Sequence, residues 1–174
     1  MSKQFTFFWD GPFSQWYPSM FEVNGLRFNC AEQYMMACKA KMFGDEDAFQ
    51  RIMASQSPAE QKAIGRQVKG FDKDVWEKDA KRIVKEGNVA KFSQNYKLRM
   101  DLFRTKGTTL VEASPVDKIW GIGLAEDDPK AKDRKQWQGT NWLGEVITEV
   151  REEMLASDEW REEKSFVGFT GASG

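Results

Sequence analysis

The chain has 174 residues and a formal net charge of −1, with 40% hydrophobic and 30% charged residues. This length suits one domain with a sizeable core, and the composition excludes a disordered or fibrous protein. The near-neutral charge predicts no overall attraction to nucleic acid or to a membrane surface, although it does not exclude a local basic patch.

Histidine is absent, and the chain has two cysteines, Cys30 and Cys38. The absence of histidine removes the commonest general base and the commonest metal ligand. On one helix the two cysteines would lie roughly 12 Å apart along the axis, which is too far for a disulfide. We therefore expect no metal and no cofactor, with acid–base chemistry from Asp, Glu, Lys or Tyr. Because no apolar leader or span is visible, we expect a cytoplasmic protein without a membrane partner.

Two stretches near the N-terminus predict short strands. Residues 5–9 are rich in aromatic side chains and are followed by Asp10-Gly11-Pro12, which is typical of a strand closed by a turn. Residues 21–28 alternate apolar and polar side chains on both sides of Asn24-Gly25, the dipeptide preferred in two-residue hairpins. Between them, residues 13–18 form a polar and aromatic loop, a kind of segment that often carries function.

The segment 29–45 predicts one complete helix. Asn29 is placed to cap its start, Glu32 stands at the capping-box position, and Gly44 is placed to end it. Glu32 and Lys39 fall on one face, two turns or roughly 10 Å apart, which suits a sugar-sized ligand. Taken alone, the same residues are also explained by a capping glutamate and a solvated lysine.

The rest of the chain predicts further helices, one short strand and a charged loop. We expect a helix over 45–54, a helix capped by Ser57 that ends near Gly70, and a helix over 141–155. A further helix, capped by Asp72, is expected to be interrupted at Gly87 or Asn88 and to continue to Gly107. We also expect a strand over 110–113 and a mobile loop over 126–138. The glycine pair Gly121 and Gly123 would let the backbone approach a ligand closely. Lys91 is expected on a solvated helix face.

Several short motifs occur along nearly the whole chain, from about Phe5 to Leu155. They are Phe13-Ser14, Ala31-Glu32-Gln33-Tyr34-Met35-Met36 with Lys39-Ala40, Gly70-Phe71-Asp72 with Trp76, Lys91-Phe92, Asp117 with Trp120-Gly121-Ile122-Gly123, and Asn141-Trp142-Leu143-Gly144. In their order and spacing these motifs resemble the NADAR family, also called YbiA-like. The resemblance implies a mainly α, single-domain multihelical fold with a few short β-strands over residues 1–156, followed by a C-terminal extension over 157–174.

The resemblance also implies an N-glycosidase that hydrolyses the bond between ribose and an exocyclic amine. Two substrate classes are associated with it: ribosylamino-pyrimidine phosphate intermediates of riboflavin synthesis, and ADP-ribose on the guanine amino group of nucleic acid. The implied partners are therefore a small ribosyl-amine or ADP-ribosyl molecule, or ADP-ribosylated nucleic acid. By position in the motifs, the implied catalytic residues are Glu32, Asp117 and Trp76, and the implied substrate-binding residues are Phe13, Ser14, Lys39, Trp120, Gly121, Gly123 and Asn141.

These residue types suit the implied chemistry, and each has a structural alternative. Cleaving a ribosyl amine builds positive charge at the anomeric carbon and needs a protonated leaving amine, tasks that Glu32 and Asp117 can share. Asp117 would otherwise be a turn residue. Trp76 would stack on a base or belong to the core. Lys39 would bind phosphate or attack the opened sugar as an imine-forming nucleophile. The alternative functions are a non-catalytic ADP-ribose or nucleotide-binding module and an interaction protein.

Overall fold

The computed structural model describes residues 4–172, which form two compact units. The mid-chain unit runs from Gln15 to Asn95, and the terminal unit combines the segment up to Ser14 with the chain from Tyr96 onward. Seven α-helices and four short strands in the described part of the chain confirm the predicted mainly helical fold. None of the helices between residues 4 and 172 has the length and hydropathy needed to cross a membrane.

The strands and helices follow one another along the chain with short connections. The strands are β1 (Phe5–Phe8), β2 (Phe21–Val23), β3 (Leu26–Phe28) and β4 (Thr109–Glu112). The helices are α1 (Ala31–Met42), α2 (Glu46–Ala54), α3 (Pro58–Gly65), α4 (Lys73–Gln94), α5 (Tyr96–Phe103), α6 (Trp142–Ala156) and α7 (Arg161–Ala172).

The mid-chain unit begins with the hairpin that the sequence predicts. β2 and β3 pair antiparallel, with Phe21 opposite Phe28 and the two rings stacked at 5.7 Å. Asn24 and Gly25 have φ angles of 52° and 82°, the left-handed pair that a two-residue hairpin requires. The hairpin is therefore fixed by its turn, and the buried rings of Phe21 and Phe28 both contact the ring of Tyr34 on α1.

Helix α1 is the centre of the mid-chain unit and packs against α2, α3 and α4. The predicted caps at Ser57 and Asp72 are confirmed, since Ser57 accepts the backbone N–H of Glu60 and Asp72 that of Val75. Asp45 likewise caps α2 by accepting the backbone N–H of Ala48. Each side chain satisfies a backbone donor that the first helical turn leaves without a partner. α3 is shorter than predicted, because it ends at Gly65 instead of near Gly70.

The start of α1 differs from the prediction that Asn29 caps it. The N-cap residue is Cys30, whose side chain makes no capping bond. The Asn29 side chain is committed elsewhere, since its amide donates to Ser55 O at 3.0 Å and its oxygen accepts from Gln61 at 3.1 Å. Glu32 is consequently the second helical residue of α1 and is not part of a capping box.

The predicted interruption of α4 at Gly87 or Asn88 is wrong, because the helix is continuous over 22 residues. A Cβ atom on Gly87 would lie 2.8 Å from the Tyr34 ring, so the glycine allows a close approach of α4 to α1. The cost of a mid-helix glycine, about 1 kcal/mol, is offset by this packing. The helix ends at Gln94 with Asn95 as its C-cap, and α5, predicted to reach Gly107, ends at Phe103.

The terminal unit is built on β1 and β4, which pair in parallel with Phe5 opposite Thr109. Both predicted strands are confirmed, and α6 packs on β4. The predicted mobile loop 126–138 is instead folded against the core of this unit, with two 3₁₀ turns. Ala131 in this loop is fully buried beside Phe5, and its carbonyl accepts the indole N–H of Trp137 at 2.7 Å. The loop is ordered because it supplies core contacts.

The predicted C-terminal extension contains α7, which packs against α5. Arg99 of α5 and Glu163 of α7 form an ion pair at 3.1 Å, and both side chains are largely buried. The Arg99 guanidinium also lies 5.4 Å from the Trp160 ring. The division into residues 1–156 and 157–174 stays a prediction.

Candidate functional site

Glu32 lies in the first turn of α1 and is buried, with 7% of its surface exposed. Its backbone N–H donates to the carbonyl of Gln15 at 3.0 Å, which ties the start of the helix to the preceding loop. A carboxylate at this position is favoured by the positive end of the helix dipole and by the free amides of the first turn. The unit therefore holds a buried acidic group where a helix begins.

A polar contact joins this helix start to α4. The Gln15 side-chain oxygen accepts a hydrogen bond from the Asn88 amide at 3.0 Å, and the same amide donates to Val84 O at 2.8 Å. Asn88 is fully buried. Because both amide hydrogens face oxygen acceptors, the orientation of the Asn88 side chain is well defined. Its oxygen has no hydrogen-bond partner among residues 4–172.

Lys91, expected on a solvated helix face, is fully buried one turn after Asn88. Its amine lies 6.0 Å from the Tyr17 ring and 5.1 Å from the Phe92 ring. Burial lowers the pKa of Lys91 to about 7 because a desolvated ammonium is disfavoured. The sequence signal that could have found it is periodicity, since Lys91 continues the buried helical spacing of Val84 and Asn88.

The pKa of the buried Cys30 thiol at the start of α1 is affected by two charged residues, Glu32 and Lys91. The pKa of the Cys30 thiol is raised to about 11, mainly by burial; the Glu32 carboxylate also acts to raise it, whereas Lys91 acts to lower it. The thiol donates to the Gln61 side-chain oxygen at 3.2 Å. Glu32 and Lys91 thus both act on the same buried thiol, while the raised pKa keeps Cys30 a protonated structural residue.

We expect the buried amine of Lys91 to make stability depend on pH. The unfolded chain keeps this proton up to about pH 10.5, whereas the folded protein releases it near pH 7. Between these values the unfolded state binds more protons, so the contribution of Lys91 to the free energy of unfolding rises with pH and is lowest at and below pH 7. Lys91→Met should remove this contribution, so its stability relative to wild type should fall steadily from pH 7 to pH 10. Urea melts across this range measure the difference.

Lys78 supplies the matched control for this experiment. It lies on the same helix but is exposed, so Lys78→Met should change stability by a similar small amount at every pH. A stability difference between Lys91→Met and wild type that stays constant from pH 7 to pH 10 would contradict the lowered pKa.

Lys39 lies two turns after Glu32 on α1 and is half-buried. Its amine is 4.4 Å from the ring of Phe71 and 5.8 Å from the ring of Trp76. Burial lowers the pKa of Lys39, the Glu32 carboxylate opposes this effect, and the Arg66 guanidinium adds to it. The mid-chain unit therefore places the rings of Trp76 and Phe71 beside the Lys39 amine, and Glu32 and Arg66 act on that amine electrostatically. Phe71 and Arg66 are residues that the sequence did not assign to the site.

The two aromatic residues beside Lys39 differ in exposure. Trp76, in the first turn of α4, is 8% exposed, whereas Phe71 is 43% exposed. Burial of Trp76 favours a role in the core over direct stacking on a substrate. Phe71 is the ring that a ligand can reach from solvent, and its proximity to Lys39 depends on the α3–α4 connection, which the sequence alone does not position.

Asp117 lies in the terminal unit and shapes a turn. Its Oδ1 atom accepts the backbone N–H groups of Ile119 at 2.9 Å and Trp120 at 2.8 Å, and its own N–H donates to the Ser114 hydroxyl at 3.0 Å. The side chain is half-buried. This is the turn geometry typical of aspartate, and it leaves the catalytic role of Asp117 as a proposal.

The glycines after Trp120 pack against the chain itself. A Cβ atom on Gly121 would lie 2.9 Å from Glu112 O, and Gly123 has a φ of +71° that disfavours other residues. The close approach we expected toward a ligand is therefore, in this structure, an approach to the chain's own backbone. Trp120 contacts Trp142 edge to face at 5.5 Å.

Asn141 is fully buried and holds β4 in place. Its side chain accepts the N–H of Glu112 at 2.9 Å and donates to Leu110 O at 3.0 Å. Its φ of 54° is left-handed, a conformation that asparagine tolerates well. With both polar atoms bonded to backbone, the side chain of Asn141 positions β4, and nothing in this geometry adds support for direct substrate binding.

The first-loop residues Phe13 and Ser14 also belong to the terminal unit. Phe13 is 8% exposed and meets the ring of Phe8 edge to face at 5.9 Å. The N–H of Ser14 donates to Gly11 O at 3.0 Å and closes a turn. The residues that the sequence assigns to the site are thus divided: Glu32, Lys39 and Trp76 lie in the mid-chain unit and the other seven in the terminal unit.

Comparison with known proteins identifies close relatives over most of the chain. N-glycosidase R617 of Acanthamoeba polyphaga mimivirus is 46% identical over 81% of this chain and 86% of its own length. Protein irg-1 of Caenorhabditis elegans is 39% identical over 92% of this chain and 84% of its own length. The NMR structure of the Escherichia coli protein YbiA matches with a TM-score of 0.73 at 26% identity and covers 92% of this chain and 93% of YbiA. Residues 7–155 match the NADAR domain model, so the chain belongs to the NADAR domain family.

Proposed function

We propose that this protein is an N-glycosidase that hydrolyses the bond between ribose and an exocyclic amine. The observation that carries the proposal is the buried carboxylate of Glu32 at the start of α1, with the half-buried amine of Lys39 two turns further along the same helix. Membership in the NADAR domain family and the 46% identity to a protein named an N-glycosidase support it.

The proposed reaction is a hydrolysis with a cationic transition state. The bond between the anomeric carbon and nitrogen breaks, its electron pair goes to the nitrogen, and the oxygen of water bonds to the carbon. One water proton is lost and the departing amine gains one. In our proposal the Glu32 carboxylate stabilises the positive charge that develops on the sugar. Asp117 is proposed as the second carboxylate, which carries out the proton transfer.

Lys39 is assigned to phosphate binding in this proposal. An ammonium between a carboxylate and aromatic rings is a compact positive charge for an anionic substrate. The second role, attack on the ring-opened sugar to form an imine, needs the neutral amine, which the lowered pKa of Lys39 would favour. In either role, the buried ring of Trp76 forms part of the surroundings of Lys39, because it lies 5.8 Å from the amine.

We expect the protein to release the free amine from at least one of two substrates. They are a ribosylamino-pyrimidine 5′-phosphate and a guanine oligonucleotide carrying ADP-ribose on the guanine amino group. Chromatography of the products measures the reaction, and a chelator should leave the rate unchanged because the chemistry is assigned to carboxylates. Binding of either substrate without turnover would identify a non-catalytic nucleotide-binding module. Inhibition by chelator that zinc or manganese reverses would contradict metal independence.

A further inference from the structure

The start of α1 is held by a backbone group from outside the helix. Its N-cap residue, Cys30, makes no side-chain capping bond, so the amides of the first turn depend on other acceptors. The Glu32 N–H donates to Gln15 O at 3.0 Å, which gives one of these amides a partner in the preceding loop. The placement of the first turn, and with it that of Glu32, therefore depends on where Gln15 is held.

Two side-chain amides of α4 hold the segment 15–22 at its two ends. Asn88 donates to the Gln15 side-chain oxygen at 3.0 Å. Gln94 bonds the backbone of Glu22 twice, since it accepts the N–H and donates to the carbonyl, both at 2.8 Å. Asn88 thus fixes the end of the segment that bonds α1, and Gln94 fixes the end that enters the hairpin.

Asn88 is fully buried, and hydrogen bonds within residues 4–172 satisfy only one of its two polar atoms. Its amide nitrogen donates to Gln15 and to Val84 O, whereas its oxygen has no partner in that range. A buried oxygen in this state destabilises the fold, and a leucine of similar shape would avoid that cost. The asparagine at this position therefore indicates a role other than stability.

We propose that Asn88 is a positioning residue for the reaction, which acts through Gln15 on the placement of Glu32. This inference rests on the proposed function, in which the Glu32 carboxylate stabilises charge on the sugar. Asn88 holds the Gln15 side chain against α4, and the Gln15 carbonyl holds the first turn of α1. Because a displacement of about 1 Å in a catalytic site can cost about 100-fold in rate, a buried amide that fixes this turn raises turnover without touching substrate.

Asn88→Leu removes the amide at nearly constant shape. We expect kcat to fall roughly 10- to 100-fold, KM to change only a few-fold and the melting temperature to stay equal or rise. Gln15 is half-buried, so its oxygen can bond water once the Asn88 amide is gone. A variant with wild-type kcat, or one whose lower rate is explained by a loss of folded protein, would overturn the proposal.

Gln15→Met breaks the same hydrogen bond from its other side and leaves the buried position on α4 intact. If Asn88 acts through Gln15, this variant should lose kcat to a similar extent, and the double variant should lose no more than either single one. In the Glu32→Gln protein, Asn88→Leu should have no further effect on turnover, because the charge that it positions is gone. Losses that multiply in either combination would contradict the route through Gln15 and Glu32.

Gln94→Met is the matched control. It removes an exposed amide from the same helix, one that holds the other end of the segment 15–22. We expect kcat to stay at the wild-type level in this variant. An equal loss of kcat in Gln94→Met and Asn88→Leu would show that any loosening of the segment slows the reaction, and would overturn the specific role of Asn88.

Hydrogen exchange separates this inference from the proposed function, because it needs no substrate. The Glu32 amide should exchange several-fold faster in Asn88→Leu than in wild type, and Gln94→Met should not change its rate. A protein that shows this response but hydrolyses neither substrate would reject the proposed function and retain Asn88 as the residue that positions Glu32. An active protein whose Glu32 amide exchanges at the same rate in Asn88→Leu would do the reverse.

Discussion

Glu32→Gln is expected to lower turnover at least about 100-fold while the fold and ligand binding are retained. Glutamine keeps the shape of the side chain, and the backbone bond from Glu32 to Gln15 O does not involve it. The substitution removes the negative charge that is proposed to stabilise the cationic transition state. Because that charge matters more in the transition state than in the bound substrate, kcat should fall and KM should change only a few-fold.

Glu60→Gln provides the control for this experiment. Glu60 lies in the first turn of α3 as Glu32 lies in the first turn of α1, but it is exposed. The same chemical change there should leave turnover and melting temperature unchanged. If Glu32→Gln turned over at the wild-type rate, Glu32 would be a structural residue of the α1 start and another carboxylate would have to carry the reaction.

Trp76→Ala is expected to cost roughly 3–5 kcal/mol of folding free energy, because it empties a large buried site. Trp76 is 8% exposed and lies beside Lys39, so the cavity would open between α4 and α1. Urea or thermal melts of the variant measure the loss. We expect the melting temperature to drop markedly and substrate affinity to fall only as far as the Lys39 environment is disturbed.

Trp16→Ala tests whether this loss is specific to a buried tryptophan. Trp16 lies in the same unit and is 44% exposed, so the same truncation should cost far less. A Trp76→Ala protein that melts like wild type but binds substrate poorly would place the indole ring on the substrate.

Features that depend on neighbouring residues were predicted well from the sequence. The Asn24-Gly25 hairpin and the caps at Ser57 and Asp72 follow from local hydrogen bonds and backbone preferences, and all three are confirmed. Asn29 failed as a cap because its side chain has partners that are distant in sequence, including Ser55. Local capping rules do not include such partners.

Features that depend on packing between helices were missed. Local sequence rules predict a helix break at Gly87, and they do not include its contact with Tyr34, which is a tertiary one. The burial of Lys91 follows from that same continuous helix, and a lysine is ordinarily solvated. Within the candidate site, helical spacing alone places Glu32 and Lys39 on one face of α1. It does not assign Arg66 and Phe71 to the site, because their positions depend on the path of the α3–α4 connection.

The pairing of β1 with β4 has a consequence for the order of folding. The hydroxyls of Thr6 and Thr108 are 102 positions apart in sequence yet 2.6 Å apart in space, so β1 has no strand partner until most of the chain has been synthesised. The helices of the mid-chain unit make contacts over much shorter separations, which close quickly. During synthesis from the N-terminus the mid-chain unit can therefore form first. The slow step is the late folding of the terminal unit, in which β1 pairs with β4.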